Sequence, residues 1–357
     1  MGMKIGVIYP SLNYPYGGGE YLCLSVVKAL QSMRFDVHLY TLDKINWKKL
    51  QRFSNVERYQ EHPLVPAELP FTNRYFAFIN SLISGVEGLT FRHIAKDMDL
   101  TIAFDLNAPA TLNYVYTPLN LASKTWWYPL HEIFIKHFRL FYARKSKIMF
   151  LSTMIKKEFN KLGLWGEVLY PPVKFTEKTD LQEKENLIVT ISRITPFKNL
   201  ENLLLIAQKL QKYKFVIVGS LQNAQYYDFL KRRTPSNLKI LINLPEKEKI
   251  ELLRKAKFYV HLARYEPFGI SILEAMWFGA IPIVHKSGGP WEDIVYYGNY
   301  GLGYNQLDEI IKLIDDIRNE LIYDDLARLV IKRANDFSFN KFMQQLSKYI
   351  LSVYEEK

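Results

Sequence analysis

The sequence contains a single cysteine, Cys23, in a chain of 357 residues. One cysteine excludes disulfides within the chain and metal clusters built from several thiolates. Cys23 lies among apolar residues of a predicted helix, so we interpret it as a small core residue. No run approaches the ~18 consecutive apolar residues that a membrane-spanning helix needs. No grouping of His, Asp and Glu has the spacing of a metal site, so we expect no resident metal.

Acidic residues are the scarcer charged class, with 36 Asp and Glu against 47 Lys and Arg and a net charge of +11. Residues 124–161 contain nine Lys or Arg against two Asp or Glu, so most of the excess lies in one block. Apolar residues at 48% and charged residues at 23% are typical of a globular protein with an ample core. The chain starts with a short strand in place of a signal-peptide layout, which leads us to expect a cytoplasmic protein.

A tight turn between a buried strand and an apolar helix is predicted where Glu266 begins the sequence Glu-Pro-Phe-Gly. The first N–H groups of a helix have no intrahelical partner, so the backbone of Phe268, Gly269 and Ile270 is expected to bind an anion. The carboxylates of Glu266 and Glu274 frame this site. Carboxylates beside a phosphate are useful where they accept hydrogen bonds from hydroxyl groups, which favours a nucleotide-sugar. Two solvated glutamates on an ordinary turn are the structural alternative.

The spacing Glu-x7-Glu with Pro-Phe-Gly inside it resembles the retaining glycosyltransferases of family 4, which have the GT-B architecture. In that family the first glutamate, here Glu266, lies against the transferred sugar. The second, here Glu274, holds the ribose. The resemblance implies a nucleoside-diphosphate sugar as substrate, with no cofactor and no divalent metal. It extends over nearly the whole chain, although only this motif and an Arg-x4-Lys pair are specific.

The Arg-x4-Lys pair consists of Arg193 and Lys198. Arg193 ends a predicted strand and Lys198 opens the next helix, so both cations can reach one diphosphate. Negative charge grows on the departing nucleoside diphosphate as the glycosidic bond breaks, and two cations would stabilise it. Two solvated surface cations are the alternative.

A glycine turn, Gly17-Gly18-Gly19-Glu20, follows the first predicted strand. Such a turn lets backbone approach a phosphate closely. It is similar to the loop of the dolichol-linked-oligosaccharide mannosyltransferases that contacts the donor diphosphate, so we predict that Gly18 and Gly19 bind the donor. A plain sharp turn would use the same glycines. A second glycine turn at Gly288-Gly289 is interpreted either as a phosphate-binding loop or as a simple turn.

Tyr116 stands where the same mannosyltransferases carry a histidine, within the pattern Tyr-x-His-x-Pro. In many family 4 enzymes a histidine in this domain contacts the transferred sugar. We therefore include Tyr116 among the donor-binding residues, and the exchange leaves the identity of the sugar open. Alternatively, Tyr116 only ends a buried strand.

The basic block also carries a wide aromatic and aliphatic stripe between residues 126 and 145. Beside positive charge, such a stripe can lie on an anionic membrane surface. This predicts a peripheral position on the cytoplasmic membrane face through residues 126–161. A core helix packed against two neighbours is the alternative. Aromatics between Lys and Arg also permit nucleic-acid binding, but the nucleotide-sugar motifs argue against nucleic acid as a partner.

Alternating predicted strands and helices indicate an α/β protein with parallel sheets. Paired prolines within 170–173 interrupt the pattern and predict a domain boundary. We predict two Rossmann-like domains of the GT-B type, facing across a cleft. The first, an acceptor domain, covers residues 1–170 and is completed by a C-terminal helix at about 339–357. The second covers residues 171–338 and would bind the nucleotide-sugar.

Together these features predict a retaining, metal-independent hexosyltransferase that uses a glycan or polyprenyl-linked acceptor. The predicted catalytic residues are Glu266, Arg193 and Lys198. The resemblance of the first glycine turn to the mannosyltransferase loop implies GDP-mannose as donor, with a UDP-sugar as the other choice. Two further interpretations stay open: a GT-B relative such as a sugar-nucleotide epimerase, and a non-catalytic nucleic-acid-binding protein that uses residues 124–161.

Overall fold

The computed structural model describes residues 3–13, 17–53, 58–66, 95–118, 140–173, 175, 181–317 and 320–355. The chain divides into two compact units. Unit 1 consists of Met1–Pro171 together with Asn340–Lys357, and unit 2 consists of Pro172–Phe339. A parallel β-sheet forms the centre of each unit.

The sheet of unit 1 has seven strands. They are β1 (Lys4–Ile8), β2 (Asp36–Asp43), β3 (Glu61–Val65), β4 (Leu100–Phe104), β5 (Leu112–Val115), β6 (Lys147–Phe150) and β7 (Gly166–Val168). Their spatial order is β3-β2-β1-β4-β5-β6-β7. Val7 of β1 is fully buried and pairs with Leu39 on one side and Ile102 on the other. Apolar central strands of this kind are typical of parallel sheets with both faces covered.

The sheet of unit 2 has six strands. They are β8 (Glu185–Ile191), β9 (Lys214–Gly219), β10 (Leu238–Ile242), β11 (Ala256–His261), β12 (Ile281–His285) and β13 (Leu302–Tyr304). Their spatial order is β10-β9-β8-β11-β12-β13, and neighbouring strands are parallel. Strands β8 and β11 are therefore neighbours in space although β9 and β10 separate them in the chain. This pairing places the loops after Ile191 and His261 side by side, at the edge where α/β proteins bind ligands.

The described helices are α1 (Gly18–Ser32), α2 (Trp47–Phe53), α3 (Thr153–Asn160), α4 (Glu201–Lys209), α5 (Ala224–Lys231), α6 (Glu246–Lys255), α7 (Ile270–Trp277), α8 (Leu307–Asp316), α9 (Glu320–Ala334) and α10 (Phe339–Glu355). At the start of helix α1 the Gly17 N–H donates to Glu20 Oε2 at 2.9 Å, which is the carboxylate half of a capping box. In α10, Phe342, Leu346 and Ile350 recur every four residues and are buried, as expected for one apolar face.

This topology confirms the predicted α/β class with two parallel sheets. Apolar patterning does not reveal β3 and β13, which both lie at sheet edges. Strand β3 contains Pro63, which interrupts its apolar run and is tolerated because an edge strand has fewer partners. Strand β13 has three residues, too few for a pattern. The segment after Gly289 forms a single π-helical turn, Pro290–Ile294.

Among the helices of the described residues, none is both long enough and apolar enough to cross a bilayer.

Candidate active site

The carboxylate of Glu266 forms an ion pair with the ammonium group of Lys198, through Oε2 and Nζ. Lys198 ends the 3-10 turn Pro196–Lys198 after β8, and Glu266 lies in the loop after β11. The adjacency of β8 and β11 brings these two loops together. The Lys198 and Glu266 side chains are 15% and 18% exposed. They are therefore a largely buried contact, in contrast to the alternative of separately solvated charges.

His261, the last residue of β11, also lies beside this ion pair. Its Nε2 lies 3.5 Å from Glu266 Oε2, and the residue is 4% exposed. Burial alone raises the pKa of the Glu266 carboxyl, but Lys198 and His261 outweigh this effect and hold its pKa well below the usual range. Glu266 is therefore ionised at neutral pH, as a residue that stabilises positive charge must be.

The turn between β11 and α7 provides unpaired backbone donors. Gly269 is the N-cap of α7 and has a left-handed φ of 100°, which favours glycine. Within the described part of the chain, the N–H groups of Gly269, Ile270 and Ser271 have no hydrogen-bond partner. Phe268 is 2% exposed, and its ring packs against Phe337. A contact of Phe268 with a ligand would therefore use its backbone, whereas Gly269 and Ile270 present free N–H groups at a helix N-terminus.

The second glycine turn packs directly against the turn that carries Glu266. The Gly289 N–H donates to the Glu266 carbonyl oxygen at 2.9 Å. Gly288 has a φ of 74°, and a Cβ there would lie 2.5 Å from the same oxygen. A Cβ on Gly289 would overlap the Pro267 carbonyl oxygen. Both glycines are thus required for the close contact between the backbones of the two turns. A turn that only reverses the chain would not need this contact.

Tyr259 connects the end of β8 to the start of α7. Its side chain is fully buried. The hydroxyl lies 2.8 Å from Ser271 Oγ in the first turn of α7 and 3.0 Å from the carbonyl oxygen of Ile191, the last residue of β8. These contacts fix the start of α7 relative to the loop that contains Lys198.

Glu274 lies on the second turn of α7 and is 3% exposed. Its Oε2 is 3.1 Å from Nζ of Lys249, on α6. Glu274 is therefore held in a separate ion pair and does not share the partner of Glu266.

Arg193 is exposed, near the start of the loop that ends at Lys198. Two cations therefore lie on this loop, and Lys198 contacts Glu266 in the turn before α7. Within the described ranges, no group of three or more His, Cys, Asp or Glu side chains is arranged to hold a metal ion. The arrangement can bind a polyanion by cationic side chains and backbone donors.

In unit 1, the predicted residues Gly18, Gly19 and Tyr116 meet at the start of α1. The hydroxyls of Tyr116 and Tyr9 are 3.1 Å apart. A Cβ on Gly19 would lie 2.8 Å from the Tyr9 hydroxyl oxygen and 2.9 Å from the Tyr116 ring. Burial raises the pKa of both tyrosines well above the usual value, so both stay neutral. Gly19 is thus needed for the close approach of the Tyr9 hydroxyl and the Tyr116 ring to the helix.

Three residues that contact predicted site residues, Tyr9, Lys249 and His261, belong to none of the motifs. From the sequence, His261 is a packed strand residue, and only the strand order shows that it faces Glu266. For Lys249 a weak signal exists, because it falls four residues before the buried Leu253 on the apolar face of α6.

The fold described above belongs to a known class of solved structures. Sucrose-phosphate synthase from Thermosynechococcus elongatus matches with a TM-score of 0.78 at 12% identity, over 99% of this chain and 100% of that chain. Anabaena Alr3699/HepE, solved with UDP and glucose, matches with a TM-score of 0.71 at 17% identity, over 98% and 100%. Such low identity shows the fold alone. It is the GT-B fold, as the resemblance predicted.

The second half of the chain is similar to a known family. Residues 174–332 match the family model described as glycosyl transferases group 1. This segment contains Arg193, Lys198, Glu266 and Glu274, so these four predicted residues lie in the part of the chain that is similar to that family. The narrower assignment to family 4 stays a prediction.

Curated relatives match part of the chain. A GDP-Man:Man(3)GlcNAc(2)-PP-Dol alpha-1,2-mannosyltransferase of Dictyostelium discoideum is 27% identical over 212 residues, which cover 51% of this chain and 41% of that protein. A glycogen synthase of Clostridium kluyveri is 23% identical over 214 residues, which cover 57% and 45%. The chain thus spans less than half the length of these relatives.

Proposed function

We propose that this chain is a retaining, metal-independent glycosyltransferase of family 4. It would transfer a hexose from a nucleoside-diphosphate sugar to a glycan or polyprenyl-linked acceptor. The observation that carries the proposal is the buried Glu266–Lys198 pair, which lies beside the N-terminus of α7 inside the glycosyl transferases group 1 segment.

In the proposed reaction, Lys198, Arg193 and the N–H groups at the start of α7 bind the donor diphosphate. The glycosidic C–O bond breaks, and its electron pair leaves with the diphosphate, whose growing charge the cations stabilise. Glu266 stabilises the positive charge on the anomeric carbon. The acceptor hydroxyl attacks from the face that the diphosphate leaves, and its proton passes to a phosphate oxygen. This same-face attack would retain the anomeric configuration.

For the donor we favour GDP-mannose. The likeness of Gly17–Glu20 to the mannosyltransferase loop supports this choice, as does the relative from D. discoideum, whose name specifies GDP-mannose. A UDP-sugar is the second choice, supported by the fold neighbour solved with UDP and glucose. On the sequence likeness we retain Gly18, Gly19 and Tyr116 as donor-binding residues. Phe268, Gly269, Ile270 and Glu274 complete the set.

Donor binding is expected to raise the melting temperature of the protein. The melting temperature is measured with a panel of five ligands, each with and without EDTA: GDP-mannose, GDP, UDP-glucose, UDP-N-acetylglucosamine and UDP. A ligand at 100 times its dissociation constant stabilises a protein by about 2.7 kcal/mol, which corresponds to a rise of roughly 5–10 °C for a unit of this size. We expect nucleotides with one base to give this rise, with EDTA making no difference.

Two results would contradict the proposal. If no nucleotide raises the melting temperature, the proposal of a nucleotide-sugar site is refuted. If EDTA abolishes the rise in melting temperature, metal independence is refuted. Retention is tested separately by NMR of the product: an α-linked donor should give an α-linked product.

We also propose a peripheral membrane contact. Most of the stripe predicted for this role falls in residues 119–139, outside the described residues. The described end of the basic block supports the idea, because Lys161 is exposed and is followed by Leu162 and Trp165, which are 40% and 70% exposed. A large aromatic beside a lysine suits the interface of an anionic membrane.

The double variant Lys161→Glu/Trp165→Ser is expected to lose binding to vesicles of phosphatidylcholine and phosphatidylglycerol, measured by co-sedimentation at 0.1 M salt. Leu205→Ser is the matched control, since Leu205 is 51% exposed on α4 in unit 2. Equal binding by the wild type and the double variant, or equal binding to vesicles of phosphatidylcholine alone, would contradict the proposal.

A further inference from the structure

A second buried ion pair joins α6 to α7. Nζ of Lys249 lies 3.1 Å from Glu274 Oε2 and 2.8 Å from Glu246 Oε1. The side chains of Lys249 and Glu274 are 9% and 4% exposed, whereas that of Glu246 is 42% exposed. One ammonium group therefore faces two carboxylates, and only Glu274 is buried with it.

Stability alone is a weak reason for a lysine at this position. Moving two charges out of water is costly, and apolar groups of similar volume often give equal or greater stability than a buried ion pair. An apolar side chain would match the rest of the helix, because the other buried residues of α7 are all apolar: Ile272, Leu273, Ala275, Met276 and Trp277. A carboxylate among them suggests that its position matters.

The charge balance indicates which ligand group Glu274 can accept. With two carboxylates to one ammonium, this cluster carries surplus negative charge and would repel a phosphate placed against it. A neutral hydrogen-bond donor suits it better, because a hydroxyl bonded to a carboxylate forms a charge-assisted hydrogen bond. Ribose hydroxyls are such donors, and the diphosphate site proposed above lies on the same helix.

We propose that Lys249 is a positioning residue that holds the Glu274 carboxylate in place to accept the ribose hydroxyls of the donor. Lys249 thereby sets the preference of the site for ribonucleotides over nucleotides that lack these hydroxyls. This inference rests on the proposed function, because it assumes that a nucleoside diphosphate binds at α7. Lys249 acts through Glu274 and need not contact the ligand.

The test compares GDP with 2′,3′-dideoxy-GDP, and UDP with 2′,3′-dideoxy-UDP, by calorimetric titration of the full chain. A hydrogen bond to a charged group is expected to give the wild type a preference of about ten- to a hundredfold for the ribose form. Lys249→Met keeps the length of the side chain without its charge. This variant should reduce the preference to within about threefold, mainly by weakening binding of the ribose form.

Lys255→Met is the matched control, since Lys255 lies on the same helix and forms an exposed pair with Glu185 at 3.4 Å. It should keep the full preference. If Lys249→Met does not fold because Glu274 loses its counter-charge, the double variant Lys249→Met/Glu274→Gln removes both charges. Its preference should then equal that of Glu274→Gln alone.

The outcomes separate this inference from the proposed function. A wild type that binds neither GDP nor UDP would refute both. A wild type with the ribose preference, together with a Lys249→Met variant that keeps it, would refute the role of Lys249 alone. A merely structural lysine would weaken the ribose and dideoxy forms by the same factor, and that result would also overturn the inference.

Discussion

Replacing Glu266 by glutamine is expected to abolish sugar transfer, with turnover at least about a thousandfold below that of the wild type. Glutamine has nearly the same size but no charge, so it cannot stabilise the positive charge that develops on the anomeric carbon. Lys198→Ala should also reduce turnover severely, because the leaving diphosphate then loses a cation. The measurement is transfer from the donor identified by the thermal panel.

Both variants are expected to stay folded with somewhat lower melting temperatures. The folded-state pKa of Glu266 lies below its ordinary value of 4.5. The ionised carboxylate therefore stabilises the folded state above that pH, and the contribution is lost as the pH falls. At neutral pH the glutamine variant lacks this contribution. Turnover should therefore be measured at a temperature well below the melting temperature of the variant.

Glu185→Gln is the matched control for Glu266→Gln. Glu185 also pairs with a lysine in unit 2, but its side chain is 47% exposed, so its loss should change neither turnover nor melting beyond small effects. Near-normal turnover in Glu266→Gln or Lys198→Ala would refute the catalytic assignment. Loss of turnover in Glu185→Gln would instead indicate a general sensitivity to charge in this unit.

The catalytic candidates could be found from the sequence because each lies in a local pattern. Glu266 follows a strand and precedes a helix, and Arg193 and Lys198 bracket a second strand-to-helix connection. Local patterns cannot show that Lys198 contacts Glu266, since that contact depends on β8 and β11 being neighbours. Strand order results from the packing of the whole sheet, and for the same reason the sequence predicts His261 as a packed strand residue without showing that it faces Glu266.

Lys249 shows a different limit of sequence analysis. Lysines are mostly exposed, so a lysine in the charged helix α6 is interpreted as a surface residue. Only the packing of α6 against α7, where Glu274 is buried, explains why this one is inside. Edge strand β3 was overlooked because its Glu, His and Pro residues resemble a loop, and pairing with β2 is what makes it a strand.

Gly289→Ala is expected to lower turnover about a hundredfold, although residue 289 is not among the predicted catalytic or donor-binding residues. Its backbone φ of −59° is ordinary, so alanine would cause no backbone strain here. The only obstacle is the space that its methyl group needs. The added methyl group would overlap the Pro267 carbonyl oxygen and lie 2.9 Å from the Phe268 Cα. The two turns must separate, which shifts Glu266, and a displacement of about 1 Å at a reacting group can cost about a hundredfold in rate.

The control for Gly289→Ala is Gly163→Ala. Gly163 has a left-handed φ of 73°, and a Cβ there would meet nothing within 4 Å. This control should lose about 1 kcal/mol or less of stability and keep its turnover. Turnover and melting temperature are measured for both variants. Wild-type turnover in Gly289→Ala would mean that the Gly288-Gly289 turn only reverses the chain. A large loss of turnover in a folded protein would mean that this turn sets the position of Glu266, because no other property of residue 289 changes.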